Sequence, residues 1–227
     1  VSIHQCIQLS RALEDEVHTT HVRPKERGHY RPPTELASGK LELAHRTYLY
    51  KRGISPDEAE AIWGVKGLNH LGGRLAWRLF MPVTLRGVPV SWTTRSINHD
   101  CPMNRRYIAA KPDEEAIPLH DLLYGGDLVR WAVIVTEGPM DAMRVGPGAV
   151  CLMGNRTTNA QLAALGTVPV RAIVLDSEPA AQRRARKLAD MLSLLPGRTE
   201  RVTLETGKDP CAASRREIRE LRKRYLN

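Results

Sequence analysis

Two short aliphatic runs in the second half of the chain each break off into acidic residues. Val133-Ile134-Val135 leads into Thr136-Glu137-Gly138-Pro139-Met140-Asp141-Ala142, and Ala172-Ile173-Val174-Leu175 leads into Asp176-Ser177-Glu178. Apolar β-branched runs of this length, with helical patterns alternating between them, predict parallel strands buried on both faces. After Pro179, Ala185, Leu188, Leu192 and Leu195 recur every three to four residues. This predicts a long helix with those residues in the core and Arg183, Arg184 and Arg186 more exposed. The end of the chain, 214–227, reads as a basic amphipathic helix with Ile218, Leu221 and Leu226 apolar. The pattern leaves open whether it caps the fold or docks a partner.

Upstream the pattern is less regular. Residues 2–17 predict a helix with Ile3, Cys6, Ile7, Leu9, Leu13 and Val17 loosely on one face. Residues 18–39 are rich in Pro, His and charge and predict a linker or extended arm. Its Arg23, Lys25, Arg27 and Arg31 suit either contact with nucleic acid or plain solvation. From 41 to 128 the pattern predicts a mixed α+β region: two helices, then short strands turning at Gly72-Gly73 and Arg86-Gly87. The expected organisation is an N-terminal helix and arm (1–40), a smaller α+β subdomain (41–128), an α/β domain with a Rossmann-like parallel sheet flanked by helices (129–213), and a C-terminal helix (214–227). Trp63, Trp77, Trp92 and Trp131 are expected in core packing rather than base stacking.

The charge balance adds a partner class. Among 227 residues, 34 Lys and Arg outnumber 25 Asp and Glu, a formal charge of +9. That is the footprint expected of a polyanion binder. No apolar run reaches the roughly 18 residues a membrane span needs, and no cleavable signal is visible, so the expected location is a bacterial cytosol, or a host cytosol for a viral protein. Cys6, Cys101, Cys151 and Cys211 form no C-x₂-C pair, and the spacing of His4, Cys6, His18 and His21 suits no standard site. Zinc is therefore not expected within this chain, and free thiols are. A G-x-x-x-x-G-K-[ST] loop is absent and no motor domain is expected here.

The acids change the picture most. Side chains at the carboxyl ends of such strands lie where open α/β sheets bind ligands. A third acid follows in Gly207-Lys208-Asp209-Pro210. Carboxylates gathered from separate strands repel by roughly 4 kcal/mol per close pair at an effective dielectric of about 20. A divalent cation relieves that repulsion, and an all-oxygen donor set suits magnesium. Asp141 fits equally a place near a helix N-terminus, and Asp209 before Pro210 a turn.

These pieces resemble, in order and spacing, the TOPRIM domain shared by DnaG-type primases, topoisomerases and some nucleases. The family's first strand ends in Glu-Gly with Asp four residues after the Glu, matched by Glu137, Gly138 and Asp141. Its second ends in Asp-x-Asp, where this chain has Asp176-Ser177-Glu178, longer by one methylene. Cys151-Leu152-Met153-Gly154-Asn155 and Gly207-Lys208-Asp209-Pro210 resemble further primase elements. Upstream, Tyr48-Leu49-Tyr50-Lys51-Arg52-Gly53-Ile54 with Ser55-Pro56-Asp57-Glu58-Ala59 resembles the leading helical hairpin of the primase polymerase core. Arg78-Leu79-Phe80-Met81-Pro82-Val83, then Val88 through Arg95, Arg106-Tyr107-Ile108-Ala109-Ala110, and Leu122-Leu123-Tyr124-Gly125 follow in the family's order. Arg106 replaces a lysine, and Leu119 stands where the family has a basic residue.

The resemblance spans residues 43 to 213 and implies a primase core making RNA primers on single-stranded DNA. It implies a metal cluster of Glu137, Asp176 and Glu178, supported by Asp141 and with Asp209 nearby. Mg²⁺ or Mn²⁺ is the implied ion, and Glu137 the implied proton acceptor. Arg95, Arg106, Tyr107, Lys208 and Arg78 are implied as nucleotide or template contacts. The implied partners are single-stranded DNA, ribonucleoside triphosphates, the RNA primer, a separate helicase and a zinc module acting in trans. A TOPRIM nuclease and a non-catalytic nucleic-acid or replisome-binding protein are the rival readings. A topoisomerase would need a tyrosine nucleophile in a further domain.

Overall fold

The computed structural model describes residues 28–36, 39–68, 73–154 and 156–227. The helix expected over 2–17, the His4, Cys6, His18 and His21 group, the arm residues Arg23, Lys25 and Arg27, and Asn155 lie outside the described residues.

The first unit opens on two helices, α1 (Leu43–Lys51) and α2 (Pro56–Trp63). Local sequence sets the bounds of α2. The Ser55 hydroxyl accepts from Glu58 N, Pro56 takes the first turn, and Gly64 ends the helix in the left-handed region. Arg46 on α1 reaches Asp57 at 2.7 Å and Glu60 at 3.2 Å, holding the pair together. An antiparallel sheet follows in the order β1 (Lys66–Leu68), β2 (Arg78–Leu85), β3 (Val88–Ser96), β4 (Tyr107–Ala109). The β2–β3 turn is Arg86-Gly87, both with positive φ (54° and 77°), the two-residue geometry that matches strand twist. Asp127 fastens this tip to the second unit, its carboxylate accepting Arg86 N and Gly87 N at 2.8 Å each.

The second unit is a five-stranded sheet in the order β5 (Leu123–Tyr124), β7 (Ala149–Leu152), β6 (Ala132–Thr136), β8 (Val170–Ile173), β9 (Arg198–Arg201). Pairings β6–β7, β6–β8 and β8–β9 are parallel, and β5 adds an antiparallel edge. This is the expected α/β architecture after a smaller α+β unit. The edge strand β5 comes from residues ahead of position 129.

Strand alternation divides the core. Val133, Val135, Val150, Ile173 and Leu175 face α4 (Asn159–Gly166) and α5 (Pro179–Ser193), meeting Leu165, Ala181, Ala185, Leu188 and Leu192. Leu195, expected in that stripe, lies past the end of α5 and is 37% exposed; Ala181 completes the stripe instead. Ile134, Ala149, Cys151, Ala172 and Val174 face the other way, against α3 (Pro139–Val145) and α6 (Arg215–Tyr225). That core runs on without a break into Leu49, Trp63, Leu79 and Met81 of the first unit. The terminal helix α6 buries Ile218, Leu221 and Tyr225 and so caps the sheet.

Two tryptophans depart from the core expectation. Trp63 and Trp92 are buried, Trp63 stacked on Tyr124 at 5.2 Å. Trp77 and Trp131 are 39% and 49% exposed. Trp77 has φ of 54° and stacks on His45, so its ring is only half covered. Gly125 has φ of 83°, and a β-carbon there would lie 2.6 Å from the Trp63 ring, so only glycine fits that turn.

Candidate active site

Neighbouring parallel strands deliver the first two acids. In the β6–β8 pairing Val135 stands opposite Ile173, and Val174 N continues the ladder to Val135 O at 2.8 Å. Glu137 and Asp176 therefore leave adjacent strand ends at the carboxyl edge of the sheet. Gln182, from the first turn of α5, donates to the carbonyls of Leu175 (3.2 Å) and Asp176 (2.8 Å) and fixes that turn. Ser177 N donates to Lys208 O at 2.8 Å, which draws the 207–210 loop alongside.

That loop carries the third contribution. Asp209 Oδ1 accepts from Ala212 N at 2.7 Å, so the residue does shape a turn. It also faces Asp141: Asp141, Asp209 and Cys211 each offer a ligand atom within 4.8 Å of the other two. Asp141 Oδ1 accepts from Cys211 N at 3.3 Å. Burial, and then Asp141, push the Cys211 thiol up, so it stays protonated and hydrogen-bonds the carboxylate. A protonated soft ligand suits a hard dication poorly, so the two carboxylates are the useful donors of this trio.

Asp176 is the electrostatic centre. Burial raises its carboxyl to about 7, and Glu137, Asp141, Asp209 and Glu178 all push in the same direction. Burial and then Asp209 raise Asp141 to about 6, opposed by Cys211 and Arg52. Two buried carboxylate oxygens, Glu137 Oε2 and Asp176 Oδ1, accept no hydrogen bond among the described residues. Buried and unpartnered carboxylate oxygens are costly, and a cation between them satisfies both. The residues fit a divalent oxygen-liganded ion. Glu178 sits at the rim, exposed and capping no helix N–H.

The first unit closes one side. Arg95, 8% exposed, donates Nε to the Tyr48 hydroxyl at 2.9 Å and lies over the Tyr107 ring at 4.6 Å. Tyr107 reaches the acids: a β-carbon on Gly138 would lie 3.7 Å from its hydroxyl and 3.1 Å from Asp141 Oδ2. Tyr107 is 36% exposed, but desolvation of its hydroxyl raises the phenol, so it stays neutral beside the carboxylates. Lys208 is exposed and Arg106 half-exposed.

Arg78 departs from its expected role as a nucleotide or template contact. It is 5% exposed, and its guanidinium donates to the carbonyls of Arg74 (3.2 Å), Arg106 (3.3 Å) and Arg105 (2.6 Å). With those donors committed, it is a strut for the segment leading into β4.

Two further cations belong to the site. Arg184 Nη2 meets Glu137 Oε1 at 2.5 Å. Arg52 lies over Tyr48 at 4.7 Å and draws Asp141 toward its ionised form. The spacing of Tyr48 and Arg52, four apart with Arg52 capping the end of α1, was the available signal for the second. Nothing in the sequence singled out Arg184 from Arg183 and Arg186.

No family model matches the chain, and no curated protein matches it. Solved structures do share its fold. The zinc-binding and RNA polymerase domains of the Aquifex aeolicus primase align with a TM-score of 0.66 at 19% identity, over 83% of this chain and 56% of that one. This chain thus spans little more than half the length of that structure. The RNA polymerase domain of Mycobacterium tuberculosis primase DnaG gives 0.63 at 20%, over 85% and 77%. The primase fragment of the bacteriophage T7 primase-helicase protein gives 0.61 at 18%, over 91% and 84%. The fold is that of primase catalytic cores.

Proposed function

We propose that this protein is a DNA primase, making short RNA primers on single-stranded DNA by metal-dependent nucleotidyl transfer. One observation carries the reading: Glu137, Asp141, Asp209 and Glu178 crowd Asp176, and Glu137 Oε2 and Asp176 Oδ1 are buried without a partner among the described residues. A structure with the same fold, a DnaG catalytic domain, is bound to single-stranded DNA, which supports the choice of template.

On this reading Glu137, Asp176 and Glu178 hold Mg²⁺ or Mn²⁺, with Asp141 and Asp209 completing the negative field. A metal bound there would neutralise the triphosphate and acidify the attacking hydroxyl. Glu137 takes the proton from the primer 3′-hydroxyl as that oxygen attacks the α-phosphorus and pyrophosphate leaves. Arg95, held by Tyr48 and Tyr107, presents a fixed positive charge, and Arg106 and Lys208 supply mobile ones toward phosphate. Template DNA and ribonucleoside triphosphates are the substrates, and a replicative helicase is the partner.

The test is incubation of the protein with single-stranded DNA, Mg²⁺ or Mn²⁺ and labelled ribonucleotides. Labelled oligoribonucleotides that vanish with Glu137→Gln and with Asp176→Asn, while DNA binding persists, support priming. A shortened template instead means a nuclease. Glu178→Asp restores the family spacing and should match or exceed the parent if the shorter acid fits better.

A further inference from the structure

A cavity of about 490 Å³, lined by Glu137 but by none of the other acids, lies over the carboxyl ends of β6 and β7, between α4 and α5. Arg156, Arg184 and Lys187 contribute three positive charges to its wall, against the one negative charge of Glu137, and Thr157 and Asn159 add polar groups. The floor is apolar: Leu152, Leu162, Leu175 and Leu188. Arg184 is shared, since it lines this cavity while its Nη2 holds Glu137 Oε1. Glu137 in turn keeps its other oxygen buried and unpartnered.

We infer that this cavity seats the polyphosphate chain of a nucleotide, with Arg156, Arg184 and Lys187 as its charged contacts. Charge and size both select that ligand. Two guanidiniums and an ammonium match a run of phosphate oxygens, which arginine grips in pairs and lysine as a point charge. A net positive wall repels a metal ion, so the cavity is chemically distinct from the acidic cluster. The inference deepens the priming reading for a substrate triphosphate, but the same chemistry would hold the phosphates of a nucleotide that is not a substrate.

Calorimetric titration of the whole chain with inorganic tripolyphosphate, in chelator and without divalent metal, tests the cavity apart from catalysis. Arg156→Ala with Lys187→Ala should weaken binding by roughly ten-fold or more, the scale of losing charge-assisted hydrogen bonds. Arg183→Ala with Arg186→Ala removes the same charge from exposed positions of α5 outside the cavity wall, and should change it less than about two-fold. Equal losses in both pairs, or none in the first, overturn the inference. A higher KM for ribonucleotides in the first pair assigns the chain to the substrate; an unchanged KM with lost tripolyphosphate binding assigns it to another nucleotide. Intact tripolyphosphate binding by a parent protein that makes no primer would sink the priming reading and leave the cavity standing.

Discussion

Arg184 on α5 and Glu137 at the end of β6 form an ion pair at 2.5 Å, and both residues line the basic cavity. Both side chains remain about one third exposed, so the pair is weak enough to exchange partners. Such pairs contribute about 0.2–1 kcal/mol.

Removing the arginine should therefore help a metal and hinder a nucleotide. Arg184→Ala is expected to tighten Mn²⁺ binding, measured by the paramagnetic signal of the free ion, by up to about five-fold. The same variant should raise the ribonucleotide KM. Weaker Mn²⁺ binding would mean that Arg184 orients Glu137 rather than competing for it.

The raised acids make metal-free stability depend on pH in a definite direction. Asp141 and Asp176 lose their protons near 3.8 in the unfolded chain but near about 6 and about 7 in the folded one. Between those limits the unfolded state binds fewer protons, so stability falls as pH rises through that window. The thermal midpoint in chelator should drop from about pH 4 to about pH 7, and Mg²⁺ should restore more at about pH 8 than at about pH 5. Asp176→Asn should flatten the drop. A midpoint that climbs across the window in chelator contradicts the crowding of these carboxylates.

Arg95 depends on Tyr107 for its position, through the ring and not the hydroxyl. Tyr107→Phe should keep stability within about 0.5 kcal/mol, whereas Tyr107→Ala should lose about 1–2 kcal/mol as the cation–π contact goes. A double-mutant cycle with Arg95→Met should show coupling of about 1 kcal/mol in urea unfolding. Zero coupling would make the stacking incidental.

Arg78 should behave as a strut. Arg78→Met removes the donors to three carbonyls and should cost about 2–3 kcal/mol in denaturant unfolding. The folded fraction should keep its ribonucleotide KM within about two-fold. A large KM change at unaltered stability would return Arg78 to the ligand-binding set.

Arg171 offers a parallel case inside the second sheet. It is fully buried in β8 and ties the ends of α4 and α5 by donating to Gly166 O, Leu192 O, Leu195 O, Pro196 O and Thr199 Oγ1. Arg171→Lys should fail to rescue, losing about 3 kcal/mol or more, since an ammonium cannot span those carbonyls. Full stability of the lysine variant would show that charge alone suffices there.

Much of the site was legible because strand periodicity and strand ends are local. An aliphatic run that stops at Glu137 or Asp176 marks both the strand and the edge where its acid emerges. Arg78 and Arg171 were not legible in this way. A charged residue in a strand looks the same whether it meets solvent, a ligand or a carbonyl cluster, and only the loops folded over it decide. Arg184 was hidden for a related reason: three arginines within four residues differ only by helical phase relative to a strand end 47 positions away.

By itself, then, the order of residues determined the two strands, their terminal acids, the α5 stripe and the basic character of the chain, all set by neighbours within a few positions. Tertiary structure alone decided that Asp176 stands at the centre of the charge and that Asp209 both turns the chain and faces Asp141. It also turned Arg78 inward and placed a basic cavity beside Glu137. The physical reason is that charge–charge energy and desolvation depend on distance and burial in space, and neither quantity is a function of separation along the chain.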